Sequence, residues 1–430
     1  MTLVGELCLW IALLMAAWSV TVSFAAAATA RADLAASGRR AIDVAAVALA
    51  FAAAGVTSAL VARDFSFAYV ARHASLDLPV PYAVSALWSG TAGGLLVFAF
   101  GVAALGSVAV RSARRRERSE SAWVAAGIGV ELLAATIAAC FVRNPFDRLG
   151  WLAGDGLGLD PVLRHAELVP ARLAVIAGLG VAGVGAAVAA GALAGRGREP
   201  ALRRIRGWLL PAWTLLSLGL ALIAHGGYAY AAAGMPWAWT PLSIVAFVAW
   251  GVASAALHRG APRQWRVGEH LAHVGAAAVL VGVAAGAFSS AQSFAVRTGQ
   301  DANVAGGLGG HWRFESQGVS RYGAADHDVT AVTFESWRNG APKGLIVSQR
   351  LDYGTDQSDA PPVTVLRPAL RSSGLADMRV TVDSTAGDLA YVRVQFVPLA
   401  WLLWLGAALL VLGGGAAMLP VAGGGAGGNA

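Results

Sequence analysis

The sequence predicts an all-α polytopic membrane bundle of about nine transmembrane helices that carries a small extracytoplasmic β domain. Hydrophobic residues make up 57% of the 430 residues and charged residues only 13%, and the mean hydropathy is +0.60. A water-soluble protein of this size does not tolerate that composition on its surface. The apolar residues are gathered in long runs, whereas one long polar segment, 290–395, has the short alternating pattern that is typical of strands.

The apolar runs are candidate membrane helices, because about twenty apolar residues span a hydrocarbon core. In chain order they are 3–27, 41–61, 83–109, 121–142, 172–195, 207–228, 241–258, 267–289 and 396–419. The first run is too long for the core of a signal peptide and has no basic stretch ahead of it. We therefore expect it to be retained as a membrane helix.

The positions of the arginines predict the orientation of the bundle, since basic residues resist translocation. Arginines cluster at 31–40, 111–118, 196–206 and 259–266, and these loops alternate with loops that are poorer in arginine. We expect the arginine-rich loops and the carboxyl terminus in the cytoplasm and the amino terminus outside, across a bacterial inner membrane. This sorting accounts for the net charge of +7 and argues against nucleic-acid binding, which needs a soluble basic face.

The polar segment predicts a β domain of 290–395 on the outer side. Alternating stretches at 328–335 and 378–383 are typical of strands, and Asn339-Gly340 is a hairpin-turn signal. Gly306 to Gly310 predicts a flexible entry to the domain. The predicted organisation is therefore a helical bundle over 1–289, the β domain over 290–395, a last membrane helix over 396–419 and a disordered cytoplasmic tail over 420–430.

The two cysteines carry little chemical information. Cys8 and Cys140 both lie inside apolar runs and have no paired spacing. This placement is typical of small buried hydrophobic residues, so neither a redox pair nor a metal site is expected.

Three histidines lie at the ends of neighbouring apolar runs. His258 ends the seventh run, and His270 and His273 lie three residues apart near the start of the eighth. A short connection makes the two helices antiparallel neighbours, and the helix rise places His258 and His273 at similar depths. They could hold a planar metal cofactor between the helices; the alternative is a set of interfacial histidines that face headgroups or water.

Aromatic residues cluster ahead of and inside the seventh run. They are Tyr228, Tyr230, Trp237, Trp239 and Trp250. Tryptophan at an outer membrane boundary is usually part of an aromatic belt. Considered alone, the segment 228–250 is therefore explained as part of an aromatic belt at the membrane boundary.

Several short motifs are distributed along the chain in a distinctive order. They are Asp64-Phe65-Ser66 with Tyr69-Val70-Ala71, Leu78-Pro79 with Tyr82 and Ser85-Ala86-Leu87-Trp88, Gly93 to Leu96, Asn144 to Leu149, Gly156 to Leu163, Trp237 to Pro241, Leu257-His258, Leu271 to Gly275, and Pro398 to Gly406. These segments resemble the DFSxxYVA, LPxxYKxSAxW, EGSLL, NPFxRL, GLNPLL, WDP, LLHS and LAHLG elements and the last helix of the CcmF/NrfE family of cytochrome c biogenesis proteins. No one motif is decisive, but their shared order is hard to obtain by chance.

The resemblance implies a membrane haem b whose two axial ligands are His258 and His273, with His270 as a neighbour or a competing ligand. Two neutral imidazoles suit a six-coordinate, electron-transferring haem. The family resemblance further implies a tryptophan platform, with Trp237, Trp239 and Trp250 as its remnant. It implies partners as well: other cytochrome c maturation subunits, apocytochrome c, a haem chaperone and membrane lipid.

The chain departs from the family at the outer haem site. Thr240 and Ile244 replace the expected Asp and Asn of the signature, and one expected outer histidine falls at about Ala171. The helices that carry the other histidine are absent after His258. His165 or His225 could substitute, although a surface or boundary role is the alternative for each.

The leading hypothesis is a shortened CcmF-like subunit that assists covalent haem attachment to apocytochrome c. Whether it is a haem lyase by itself stays open, because its outer haem site is incomplete. The alternative is a non-catalytic membrane scaffold or an electron-transfer haem b subunit derived from the family. A transporter has little support, because the sequence has neither duplicated halves nor paired broken helices.

Overall fold

The computed structural model describes residues 2–114, 118–150, 154–165, 168–196, 198–230, 241–259, 267–286, 288–306, 310–324, 327–353 and 363–418. The helices are α1 (Thr2–Thr29), α2 (Ala32–Ala62), α3 (Ala68–His73), α4 (Val80–Ser89), α5 (Thr91–Arg114), α6 (Arg118–Ile137), α7 (Val169–Arg196), α8 (Arg198–Tyr230), α9 (Pro241–Arg259), α10 (Val267–Gly286) and α11 (Trp401–Met418). A π-helical turn, Ala138–Val142, extends α6, and a 3-10 turn covers Pro161–Arg164.

The chain divides into two compact units. The first unit contains residues 1–220, 240–270 and 411–430, and the second contains residues 221–239 and 271–410. The core of the first unit lies among α1, α2, α5, α6 and α7, where Leu9, Ile42, Leu49, Leu96 and Ile128 are almost fully buried. Many of its other members are alanines, which let membrane helices approach closely.

Seven of the described helices, α1, α2, α5, α6, α7, α8 and α10, are long and apolar enough to cross a membrane. The remaining predicted spans, 241–258 and 396–419, correspond to the shorter apolar helices Leu242–Leu257 and Trp401–Ala417. The fold class of a helical membrane protein with a C-terminal β region is confirmed, whereas the number of nine spans is not.

Two predicted runs contain more than one structural element. The run 83–109 is broken at Gly90, whose extended backbone (φ −99°, ψ 165°) ends α4 before α5 begins at Thr91. The run 396–419 begins too early, because Phe396, Val397 and Pro398 belong to the last strand. Apolar composition alone does not separate a buried strand end from the start of a helix.

The polar segment forms two antiparallel sheets in the second unit. The strands are β1 (Ser290–Arg297), β2 (Asp301–Ala305), β3 (His311–Gly323), β4 (Asp328–Arg338), β5 (Ala341–Tyr353), β6 (Val363–Arg367), β7 (Ala369–Ser372), β8 (Ala376–Ala386) and β9 (Leu389–Pro398). The sheet orders are β1-β9-β8-β7 and β2-β3-β4-β5-β6. Residues from both sheets, such as Phe314 and Phe334 from one and Val392 and Phe396 from the other, share one buried core.

The strand signals of the sequence agree with this arrangement. The stretches at 328–335 and 378–383 lie within β4 and β8. Asn339 (φ 50°) and Gly340 (φ 83°) both have positive φ in the turn between β4 and β5, as a two-residue hairpin turn with matching twist requires. Residues 307–309 of the predicted glycine-rich entry, the last residue of the predicted helix 396–419 and the predicted tail 420–430 lie outside the described residues.

Candidate functional site

Many of the family-like motif segments meet around the short helix α3 in the first unit. We call this assembly the α3 cap; it consists of residues 63–90, 144–149 and 154–165. Arg63 begins it with a left-handed backbone (φ 55°) that ends α2. Its guanidinium donates hydrogen bonds to the carbonyl oxygens of Ser75, Leu76 and Leu78. One side chain therefore fixes the turn between α3 and α4.

Backbone pairing joins the Asp-Phe-Ser motif to the Asn-Pro-Phe motif. The amide of Ala68 donates to the carbonyl oxygen of Asp147 at 2.8 Å, and the amide of Leu149 donates to that of Ser66 at 2.9 Å. Two motifs that are about eighty residues apart in the sequence thus form one short ladder.

The glycine-rich motif closes the α3 cap through close backbone approach. The amide of Leu157 donates to the carbonyl oxygen of Ala71 at 2.7 Å, and that of Gly158 donates to Ala74 at 3.1 Å. A Cβ atom at Gly156 would overlap the carbonyl oxygen of Ala74. Glycine at this position is therefore a packing requirement.

Tyr69 and His73 form the polar centre of the α3 cap. The Tyr69 hydroxyl donates to the carbonyl oxygens of Ala86 and Leu87, at 2.7 and 3.0 Å. The His73 ring stacks on Tyr69 with centroids 4.3 Å apart, and Gly90 leaves room for it. Burial lowers the pKa of His73 below its ordinary value of 6.5 and raises the pKa of Tyr69.

Hydrogen bonding assigns the tautomer of His73. Its Nδ1 lies 2.8 Å from the carbonyl oxygen of Tyr69, and a carbonyl oxygen only accepts, so Nδ1 carries the proton and Nε2 is an acceptor. The sequence analysis did not single out this histidine. The four-residue spacing of Tyr69 and His73, which places them on one helical face, was the available signal.

Trp250, predicted as part of a haem platform, lies in a contact between α8 and α9. Its indole N–H donates to Ser217 of α8 at 2.9 Å, while Trp213 of α8 donates to Ser254 of α9 at 2.8 Å. The two indoles stack with centroids 6.1 Å apart. We call these four residues the tryptophan clamp. Trp237 and Trp239 lie outside the described residues.

The α10 helix has one face packed against α11 and another that is exposed. Gly268, Gly275 and Gly282 approach α11 so closely that a Cβ atom at Gly275 would lie 2.7 Å from the carbonyl oxygen of Gly406. We call this row the glycine seam. At about 3.6 residues per turn, His270 and His273 fall on the opposite side of the helix. Both are exposed.

His258 lies in the last turn of α9, as predicted, but its side chain lies outside what the structure describes. The structure therefore places both predicted ligands near helix ends without testing their role. An ion pair between Arg206 and Glu269 holds the start of α10 to α8. Among the described residues, no group of three or more His, Cys, Asp or Glu side chains has the arrangement of a metal site.

The two histidines considered as substitutes lie in different surroundings. His165 is half-buried just after the 3-10 turn of the α3 cap. His225, near the end of α8, packs edge-on against Trp404 with centroids 5.3 Å apart. Trp404 also contacts Tyr228, whose hydroxyl donates to Asp377 at 3.1 Å. His225 thus belongs to an aromatic cluster in the second unit.

Sequence comparison finds relatives among the cytochrome c biogenesis proteins. The chain is 30% identical over 271 residues to the Rhodobacter capsulatus cytochrome c-type biogenesis protein ccl1, covering 60% of this chain and 39% of that protein. It is 30% identical over 250 residues to Escherichia coli CcmF, covering 57% and 37%, and 28% identical over 196 residues to Haemophilus influenzae NrfE, covering 45% and 31%. The chain therefore spans less than two fifths of the length of these relatives. No family model matches the sequence.

Structure comparison gives the fold. The structure superposes on a solved structure of the cytochrome c haem lyase CcmF with a TM-score of 0.76, covering 97% of this chain and 98% of that chain at 14% identity. At this identity the likeness establishes the fold alone. In sequence and in fold, this multi-pass membrane protein is similar to the CcmF/NrfE cytochrome c biogenesis proteins, as its motifs predicted.

Proposed function

We propose that this chain is a CcmF-like membrane subunit of cytochrome c maturation that assists covalent attachment of haem to apocytochrome c. The similarity to ccl1, CcmF and NrfE proteins supports this assignment. We further propose that it acts with other maturation subunits and receives haem from a chaperone. In this proposal the amino terminus lies outside the cytoplasm, as the arginine distribution indicates, so that the α3 cap and the β domain face the compartment of cytochrome assembly.

We propose that a haem b is the cofactor, with His258 and His273 as its axial ligands. The observation that carries this proposal is the exposed position of His273 on the side of α10 away from the glycine seam. Histidine is a common metal ligand, and an exposed imidazole on a membrane helix is accessible to a cofactor that lies beside that helix. Neutral imidazoles on both faces of the iron would suit electron transfer.

The test is the visible spectrum of the purified protein and of three variants. The wild type should show a b-type, low-spin haem, and His258→Ala and His273→Ala should each lose it or convert it to high spin. His270→Ala tests the competing ligand, because His270 is exposed on the same side of the same helix; it should leave the spectrum unchanged, and a loss in this variant instead of His273→Ala would make His270 the ligand. A colourless wild type, or an unchanged spectrum in both ligand variants, would contradict the membrane haem.

The position of Trp250 favours a second candidate function. Because its indole N–H is used within the tryptophan clamp, this residue supports helix packing, which suits a non-catalytic scaffold or an electron-transfer subunit. Complementation of a maturation-deficient strain separates a scaffold from the functions that need haem. A haem lyase or an electron-transfer haem subunit should lose complementation when its haem ligands are replaced, whereas a non-catalytic scaffold should keep it.

A further inference from the structure

The described part of the β domain contains a cavity that the proposed function does not use. It has a volume of about 690 Å³ and lies at the end of the five-stranded sheet where β2 ends, β3 begins and β4 turns into β5. Its lining includes Asn303, His311, Arg313, Trp337 and Asn339. A volume of several hundred Å³ is in the range of small-molecule sites in proteins.

The backbone around His311 is fixed by Asn339 of the neighbouring turn. The amide of His311 donates to Oδ1 of Asn339 at 2.9 Å, and the amide of Asn339 donates to the carbonyl oxygen of His311 at 2.8 Å. This reciprocal pair holds the start of β3 against the β4–β5 turn. His311 is exposed, so an imidazole is presented from a rigid position at the cavity.

Arg313 and Trp337 form a flat wall of the cavity. They lie directly opposite each other on β3 and β4, and the guanidinium carbon stands 4.0 Å from the centroid of the indole ring. Stacking of this kind leaves the guanidinium edge able to donate hydrogen bonds. The guanidinium therefore covers one face of the indole, and the stacked pair combines an aromatic ring with a cation.

The charge of the lining selects the class of ligand. The described lining residues include the cation Arg313 and the titratable His311 but no aspartate or glutamate. Asp301 reaches Arg313 from outside the lining, at 3.5 Å, and this exposed pair is weak. The cavity is thus complementary to a flat aromatic ligand that carries carboxylates.

The cavity lies at the end of the β domain where the chain joins its helices. Gln292, near the start of β1, donates to the carbonyl oxygen of Ala305 at 2.8 Å. Gly306 lies against the ring of Phe396, near the end of β9. Strand β1 follows α10, and β9 leads into α11. This end of the domain is therefore nearest to the helices of its own unit, which suits an amphipathic ligand that passes between bilayer and water.

We propose that this cavity binds haem or a related anionic tetrapyrrole, with Trp337 against the ring, Arg313 at the carboxylates and His311 as an axial ligand to the iron. The choice of a tetrapyrrole rests on the proposed function in haem attachment. The site is separate from the pair His258 and His273, and it adds an imidazole to a chain that lacks the outer histidines expected by resemblance.

The test uses the full chain in detergent, titrated with haemin and, separately, with iron-free protoporphyrin IX. Soret absorbance and tryptophan quenching report binding. His311→Ala should weaken haemin binding at least tenfold and leave protoporphyrin binding unchanged, because only haemin offers iron to the imidazole. Trp337→Ala should weaken both ligands, and Trp337→Phe, which keeps a flat ring, should restore most of the binding.

His327→Ala is the control, since His327 lies in the same domain, stacked on Tyr353 and outside the lining. Haemin binding that is unchanged in both His311→Ala and Trp337→Ala would overturn the proposal. Repeating the titration in His273→Ala separates the two sites. If His273→Ala loses the spectrum of the copurified haem but still takes up added haemin through His311, the cavity proposal is supported and is independent of the membrane haem. If the protein carries a copurified haem but shows no uptake that depends on His311, the cavity proposal is refuted and the membrane haem is not.

Discussion

The α3 cap and the exposed side of α10 use their polar groups in opposite ways. In the α3 cap, the side chains of Arg63 and Tyr69 are directed into the fold and satisfy backbone carbonyl groups. On α10, His270 and His273 point away from the helix that packs behind them. The first arrangement joins segments of the chain to one another, whereas the second leaves two imidazole rings exposed on the surface of a helix.

This difference separates the residues that preserve the fold from those that are available for chemistry. Many of the motifs that identify the family resemblance build the α3 cap, and their glycines and polar side chains are explained there by packing and hydrogen bonds. The candidate ligands His270 and His273 lie outside the α3 cap and are exposed. Substitutions in the two regions should therefore change different measurements.

The largest loss of thermal stability is expected from Gly93→Ala in the motif at the start of α5. The added Cβ atom would overlap the carbonyl oxygen of Leu87 and the hydroxyl of Tyr69, and overpacking against backbone costs about 3 kcal/mol. Gly101→Ala is the matched control on the same helix, because nothing lies within 4 Å of its added Cβ atom. Thermal unfolding in detergent measures both, and similar Tm values for the two variants would contradict a tightly packed α3 cap.

A smaller loss of thermal stability is expected when the pH is lowered. Burial holds the pKa of folded His73 below its ordinary value of 6.5, so the folded state binds fewer protons than the unfolded state in the window beneath that value. Stability should therefore fall as the pH drops below about 6.5. The decrease in Tm between pH 7.5 and pH 5 should be smaller in His73→Phe, which keeps a ring against Tyr69 but does not titrate. An equal decrease would remove His73 as the cause.

The smallest effect on stability is expected from His270→Ala and His273→Ala in haem-free protein. Exposed side chains away from packed features usually change the free energy of unfolding by less than about 0.5 kcal/mol. The same His273→Ala variant should nevertheless change the haem spectrum. A large loss of stability in the haem-free variant would mean that His273 supports the fold, and the contrast with the α3 cap would fail.

Features set by composition and periodicity were predictable from the sequence. The apolar runs predicted the membrane class, and alternation predicted β4 and β8. The break at Gly90 was missed because it lies inside an apolar run, where hydropathy does not register backbone conformation. The pairing of β1 with β9 could not be predicted from sequence patterns either, since it joins segments that are about one hundred residues apart.

The candidate site was predictable only in part. The positions of His258, His270 and His273 at helix ends followed from the sequence, and the roles of His258 and His273 stay predictions. His73 and the clamp role of Trp250 were missed, because each depends on a contact with a distant segment: Gly90 in one case and Ser217 in the other. Helical periodicity identifies a face but does not identify its neighbour.

The glycine seam has a consequence for how the β domain is carried. Because α10 and α11 run antiparallel along the rows of Gly268, Gly275 and Gly282, the chain leaves and re-enters the helix pair at one end. The β domain is thus an insertion at the tip of a helical hairpin whose two helices, α10 and α11, pack closely through their backbones. Replacing the domain by a shorter connection should therefore leave the close contacts of the glycine seam in place and remove the hydrogen bond from Tyr228 of α8 to Asp377.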